Sequence, residues 1–483
     1  MKRLFYLIAI SISQVLSGQQ DQQLYLMHYL GESNFLNPAV QSECKWFVGM
    51  PILSSVHINI ANSAFSYKQL IKSSGNGTYY ADIDGVVNNL GRRSIIDAET
   101  HTTILALGYK RKQYYFAFSI IDKLNLPFTF PKDAAALAWK GNSQFEGAEA
   151  GLKGTGSYFT YYREFALGIS KKDEDGNFKG IKGKLLYGKL NLSMPNTNAS
   201  IYTDPNTFDL MFDGQVNINM SAPVIINQSN GRINSISYDD RASISQLLLN
   251  RKNWGFAFDL GFIHRYNEKI VISGSVLDLG FIRWRSNLNN IKAGGHFLYK
   301  GPLGDTATTV SYFDDFINSF QDSMQVEVTN KSYTTFLPTK LYLGATYALS
   351  GRINAGALIS SVIYGTKLVT AATISGDYNA FRRFHILASY SLMYRSYNNF
   401  GLGFSLGRGP LQFYAISDNF TGFIWPLSAR DINLRFGLNI NLGCKVKSNQ
   451  RSALGSSDLG GTCPCYKQDE IRRQRKADWN KNK

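Results

Sequence analysis

Four cysteines and six histidines are the side chains of this chain best able to hold a metal or react, and their spacing restricts what they can do. His28, His57, His101, His264, His296 and His385 are scattered along the sequence. No His-x-x-x-His or Cys-x-x-Cys set is present, so no compact group of tetrahedral metal ligands can be read locally. No metal, cofactor or catalytic residue is therefore expected. Ser/His or Asp/His groups could still meet across strands, but no nucleophile elbow or phosphate-cradling loop is apparent, and an enzyme is not expected. Cys463 and Cys465 flank a single proline, a spacing too short for an easy mutual disulfide. They could link to another protein, hold a soft metal, or simply belong to a charged tail that includes Arg472, Arg473, Arg475 and Lys476. That tail, residues 445–483, is expected in the periplasm, where its charge could meet an acidic protein partner or a cell-wall polymer.

The elements that must position these groups follow from composition and periodicity. Met1-Lys2-Arg3, the apolar stretch Leu4 to Leu16 and the small residues Ser17-Gly18 have the pattern of a signal peptide over residues 1–18, with cleavage near Gly18. Beyond it no apolar run is long enough for a transmembrane helix, so a membrane-spanning structure would have to be a closed barrel. The 483 residues carry 28 Tyr, 31 Phe and 43 Gly against 12 Pro, which suits strands that crowd and bend. The net charge of +16 suits anionic lipid headgroups, and export disfavours nucleic acid as a partner.

Alternation with a period of two is the main structural signal. Trp254, Phe256, Phe258, Leu260 and Phe262 alternate with Gly255, Ala257, Asp259 and Gly261. Phe400 to Gly407 and Ile432 to Leu442 repeat this large-apolar against small-or-polar pattern over about ten residues, the span of a tilted membrane strand. Sixteen segments qualify, Leu210 to Met220 and Ile291 to Leu298 among them. An all-β transmembrane antiparallel barrel of about 14 (14–16) strands over residues 44–444 is expected. Long connections fall near 61–100, 122–157, 221–253, 301–338 and 418–431, but strict up-and-down counting does not bring them all to one rim. Two amphipathic helices are expected in them, one through Ile83, Val86, Val87 and Leu90, the other through Phe313, Phe316, Ile317, Phe320 and Met324.

From Leu24 to Tyr67 the chain reads LYLMHYLGESNFLNPAVQSECKWFVGMPILSSVHINIANSAFSY. Its Asn34-Phe35-Leu36-Asn37-Pro38-Ala39 step resembles the start of FadL-like barrels and of the PorV and PorP barrels of the type IX secretion system. Val48 to Phe65, Tyr342 to Ala348 and Gln412 to Asn419 resemble most a Bacteroidota outer-membrane barrel family of unknown function. The resemblance implies a cell-outer-membrane barrel whose N-terminal segment, residues 19–43, forms a plug across the lumen with its turn at Asn37, Pro38 and Ala39. It implies one of two roles: a conduit for small or hydrophobic molecules, as FadL-like barrels are, or a component of a secretion-type assembly. A barrel enzyme acting on lipid or protein, and a soluble exported β-sandwich, are the alternatives. Cys44 opens the first strand and Cys444 closes the last, so in a closed barrel they share a rim. There they either form a disulfide across the seam or remain two thiols.

Overall fold

The computed structural model describes residues 21–444, apart from 301–318 and positions 196, 230–231, 242, 244, 246–247, 365–366, 382–383, 394–395 and 409. The signal-peptide stretch, Gln19, Gln20 and the tail with Cys463 and Cys465 lie outside the described residues, as do Phe313, Phe316 and Ile317.

Among the described residues, fourteen antiparallel strands close into a ring. They are β1 (Cys44–Gly49, resumed as Val56–Asn62), β2 (Arg93–Arg111), β3 (Tyr114–Pro131), β4 (Gly156–Lys172), β5 (Phe178–Ser193), β6 (Trp254–Arg265) and β7 (Ile270–Trp284). Then come β8 (Tyr333–Phe336 and Thr339–Ala348), β9 (Ile353–Tyr364), β10 (Lys367–Phe381), β11 (Phe384–Met393), β12 (Ser396–Arg408), β13 (Leu411–Ser417) and β14 (Asp431–Cys444). Each strand pairs with the next, and β14 closes on β1 through Trp46↔Leu442 and Ile58↔Leu434. A soluble two-sheet sandwich is thereby excluded.

The alternation reads directly onto the wall. Phe256, Phe258, Leu260 and Phe262 of β6 point outward and are exposed, as are Phe400, Leu402, Phe404 and Leu406 of β12, whereas Ala257, Asp259 and Ser405 are buried inside. An apolar band exposed around a closed sheet is what lipid covers, and the strands do the crossing, since no described helix is long and apolar enough.

Two of the sixteen sequence candidates are not wall strands. Leu210–Ser221 and Leu288–Tyr299 pair with each other along their length, beyond the ends of β5 and β7. They alternate because they too have one covered and one open face. Removing them restores the up-and-down count, and every long connection (63–92, 132–155, 194–253, 285–332 and 418–430) then falls on one rim. The other rim, which carries Cys44 and Cys444, has only short turns. Strands β2 to β5 run 16–19 residues rather than about ten. Their extra length lies towards the long-loop rim and exceeds what a tilted strand needs to cross a bilayer. The expected helix at Ile83–Asn89 forms, with Val86 and Leu90 packed on Ala64, Phe130 and Ala135 of the long-loop rim. Of the second expected helix, Phe320 is described, and its ring meets Phe212 and Phe297 edge-on.

Candidate functional site

The lumen is occupied by the chain's own N-terminal segment, residues 21–43. It begins with a short helix, α1 (Gln22–Leu26), whose first backbone amides have no partner within the helix. The Asp418 carboxylate, just past β13, accepts from the backbone N–H groups of Asp21, Gln22 and Gln23 at 2.7, 3.2 and 2.9 Å. An anion at a helix start is also favoured by the helix dipole. Gln22 Nε2 donates to Ser360 Oγ and Gln23 Nε2 to Ser389 Oγ, both at 2.8 Å. The Asp21 carboxylate accepts from Arg435 Nε and Nη2, each at 2.8 Å, in a buried fork. Burial alone would raise the Asp21 pKa, but the positive charges around it, Arg435 foremost, together outweigh burial and hold the carboxyl well below the usual range.

The middle of the segment is apolar. Leu24, Tyr25, Met27 and Leu30 are fully buried, and with Leu36 they pack on Leu277, Tyr342, Leu358, Leu387, Tyr414 and Ile416 of the wall. Tyr25 stacks on Tyr342 with centroids 4.8 Å apart, and Tyr29 stacks on His385. Ser33 Oγ donates to the carbonyls of Leu24 and Met27, folding the segment back on itself. Glu32 is wholly buried beside Ser54, and burial pushes its carboxyl up to about 8 despite the hydrogen bonds and the Arg435 charge that pull it down.

The Asn37-Pro38-Ala39 turn sits against β5, β6 and β7. Asn37 Oδ1 accepts from Ala39 N–H at 3.0 Å, and its Nδ2 donates to the carbonyls of Phe262 and Gly274 at 3.2 and 3.4 Å. Ser275 Oγ donates to Leu36 O at 2.6 Å and Lys182 Nζ to Asn34 O at 2.8 Å. The approach is close enough to require glycine in the wall. A Cβ at Gly261 would overlap the Asn37 carboxamide oxygen, and one at Gly180 the Pro38 carbonyl. The segment then leaves at the short-turn rim, where Cys44 stands opposite Cys444 in the β1–β14 register with their sulfurs 1.98 Å apart.

Behind the segment lies a buried charge cluster. Lys184 Nζ is 2.6 Å from Asp278, 2.8 Å from Asp259 and 3.5 Å from Glu164, and Lys123 Nζ is 2.8 Å from Glu164. A bulge in β7 opposite Phe258 and Leu260 turns both Leu277 and Asp278 inward, the first onto the segment and the second into the cluster. The space left between segment and cluster is a cavity of about 30 Å³, room for roughly one water.

Sequence reasoning missed this cluster and a second group, Asp21 with His57 and His101. His57 and His101 are direct partners in the β1–β2 register and both face inward. Far apart in sequence, they are brought together only by the register, which is set across a long loop. Gly403 to Gly407 spell Gly-x-Ser-x-Gly, overlooked in the sequence, but they lie inside β12 rather than on a strand-to-helix turn. Ser405 Oγ there accepts from Gln412, and Tyr29 covers His385, the residue opposite it.

The model of the Family of unknown function (DUF5723) matches residues 38–418. No curated protein matches the chain. Among solved structures, a deltaS2 mutant of the monoaromatic hydrocarbon channel TodX is 11% identical, covering 86% of this chain and 95% of its own, with a TM-score of 0.41. The Pseudomonas putida toluene transporter TodX is 9% identical over 89% of this chain and 96% of its own, with a TM-score of 0.38. A Pseudomonas aeruginosa FadL homologue is 11% identical over 86% and 94%, with a TM-score of 0.37.

Proposed function

The chain belongs to the family of unknown function DUF5723, so its role has to be argued from the barrel itself, and we propose that it is an outer-membrane conduit for small, largely apolar molecules, closed by its own N-terminal plug. The observation that carries this reading is the apolar half of the inner wall. Leu277, Tyr342, Leu358, Leu387, Tyr414 and Ile416 form a surface that the plug covers with Leu24, Tyr25, Met27, Leu30 and Leu36, with Leu26 and Tyr29 packed beside them. With the plug displaced, that surface becomes a lining suited to an apolar solute, so the plug's own side chains stand where cargo would travel. The plug is held by hydrogen bonds, the Asp21–Arg435 ion pair and packing, all of which can be exchanged for solvent or solute.

Arg435→Leu tests the reading. It leaves Asp21 buried without its partner, at a cost of about 3–5 kcal/mol, and should loosen the plug. Purified in detergent and reconstituted in liposomes, the variant should admit an apolar dye faster than the wild type. Equal, background-level uptake in both would contradict the proposal. A second reading, a fixed component of a secretion-type assembly, draws on the exposed Tyr79, Tyr80, Ile236 and Tyr238 at the long-loop rim, which a protein partner could cover. It predicts co-purification of a stoichiometric partner that Ile236→Asp and Tyr238→Asp abolish.

A further inference from the structure

We propose that Asp21, His57 and His101 form a binding site for one divalent transition-metal ion of the zinc class, tying the N-terminal segment to the barrel wall. The inference stands on the positions of these residues and does not depend on transport.

One ligand atom from each of the three residues can be chosen so that all lie within 4.8 Å of one another. The site is built by the fold: β1 and β2 put the two imidazoles side by side, with ring centroids 5.3 Å apart and planes tilted by 40°, and the start of the segment delivers the carboxylate. His57 Nδ1 stands 3.7 Å from Asp21 Oδ1. All three residues are buried, His57 to 1% exposure.

A second observation points to a ligand. Neither ring nitrogen of His57 has a hydrogen-bond partner, although both are shut off from solvent. A buried polar group left unpaired costs about 1–3 kcal/mol, so such groups are rarely left without a role. A metal ion would satisfy one of these nitrogens. His101 is oriented for the same task, since its Nε2 lies 3.4 Å from the Asn125 carboxamide oxygen, the type of outer contact that fixes a ligating ring.

The donor set, two imidazoles and one carboxylate, is that of sites that leave one position open for water, and it favours zinc, cobalt or nickel over magnesium or calcium. Around such an ion, with metal–ligand distances of about 2.1 Å, donors stand roughly 3.3 Å apart. The three side chains must therefore draw together by about an ångström, a movement within reach of rotation about their side-chain torsions. Arg435 already binds both Asp21 oxygens, but a carboxylate has about four lone-pair positions, so two remain. The small cavity lined by Asp21, His101 and Arg435 gives the open coordination position its space.

The test uses the full chain in detergent, freed of any histidine tag and carrying Cys463→Ser and Cys465→Ser so that tail sulfurs cannot bind the probe. Zinc chloride is titrated by calorimetry against a competing chelator, and cobalt chloride is followed by its visible absorption. One zinc per chain is expected, with cobalt bands of a four-coordinate nitrogen and oxygen site. His57→Ala, His101→Ala and Asp21→Asn should each weaken binding by about tenfold or more. His57→Gln and His101→Gln, which keep a polar group in place, serve should an alanine variant fail to show the heat-dependent gel shift of a folded barrel. No stoichiometric zinc, or undiminished binding when both histidines are replaced, overturns the proposal. Undiminished binding by Asp21→Asn overturns the tie between segment and wall.

Discussion

At the scale of single residues, the fit between segment and wall depends on atoms that leave no room for change. Gly261→Ala places a methyl group on the Asn37 carboxamide oxygen, and neither partner can yield without breaking the Asn37 contacts to Phe262 and Gly274. The variant should keep its barrel, yet a cysteine placed at Leu30 should react with a water-soluble thiol reagent several-fold faster than in the parent. Glu32 makes the seating pH-dependent. Its carboxyl holds a proton up to about 8 when buried, against 4.5 when released, so the seated state binds more protons between those values. Seating is therefore strongest below pH 4.5 and weakens as the pH rises towards about 8. His28, whose pKa burial lowers to about 4, works in the opposite sense between 4 and 6.5, and the Asp418 carboxyl, which burial raises to about 6, adds to the Glu32 effect only below that value. Between pH 6.5 and 8 Glu32 acts against neither of them. Labelling at position 30 should accelerate across that window more than thiol ionisation alone explains, and Glu32→Gln should remove the excess.

At the scale of elements, the seam between β1 and β14 is where a barrel made from one chain must be closed by its two ends. The Cys44–Cys444 pair closes it with a covalent bond across a sequence separation of 400 residues. Cys44→Ser with Cys444→Ser should lower stability by about 2–4 kcal/mol, read as a lower temperature for the gel shift of the folded barrel. Peptide mapping without reductant should find the two cysteines linked in the parent; finding them as free thiols would contradict the seam. The wall strands were legible because lipid outside and packing inside impose opposite demands on successive residues. That rule could not separate Leu210–Ser221 and Leu288–Tyr299 from the wall, since any half-covered strand alternates. Nor could it show that β2 to β5 continue well past the length a bilayer needs, or that Asp122 and Arg163 pair with each other on the face where neighbouring strands present apolar side chains.

At the scale of the whole molecule, the fourteen-strand ring and its rim asymmetry make a fixed frame, and among the described residues the N-terminal segment fills the lumen without joining the sheet. Asn37-Pro38 could be read as a turn from sequence, whereas the seats that receive it could not. Gly180, Gly261, Arg435, Asp418 and the His57–His101 pair come from six different strands or loops, and only the closed register gathers them. The central claim is that this segment closes a passage, and a reversible lock tests it most directly. With Gln22→Cys and Ser360→Cys joined across their present contact, liposome uptake of an apolar dye should fall to the protein-free level. It should recover on mild reduction, while either single-cysteine variant behaves as the parent. Equal uptake in locked and unlocked protein would contradict the account.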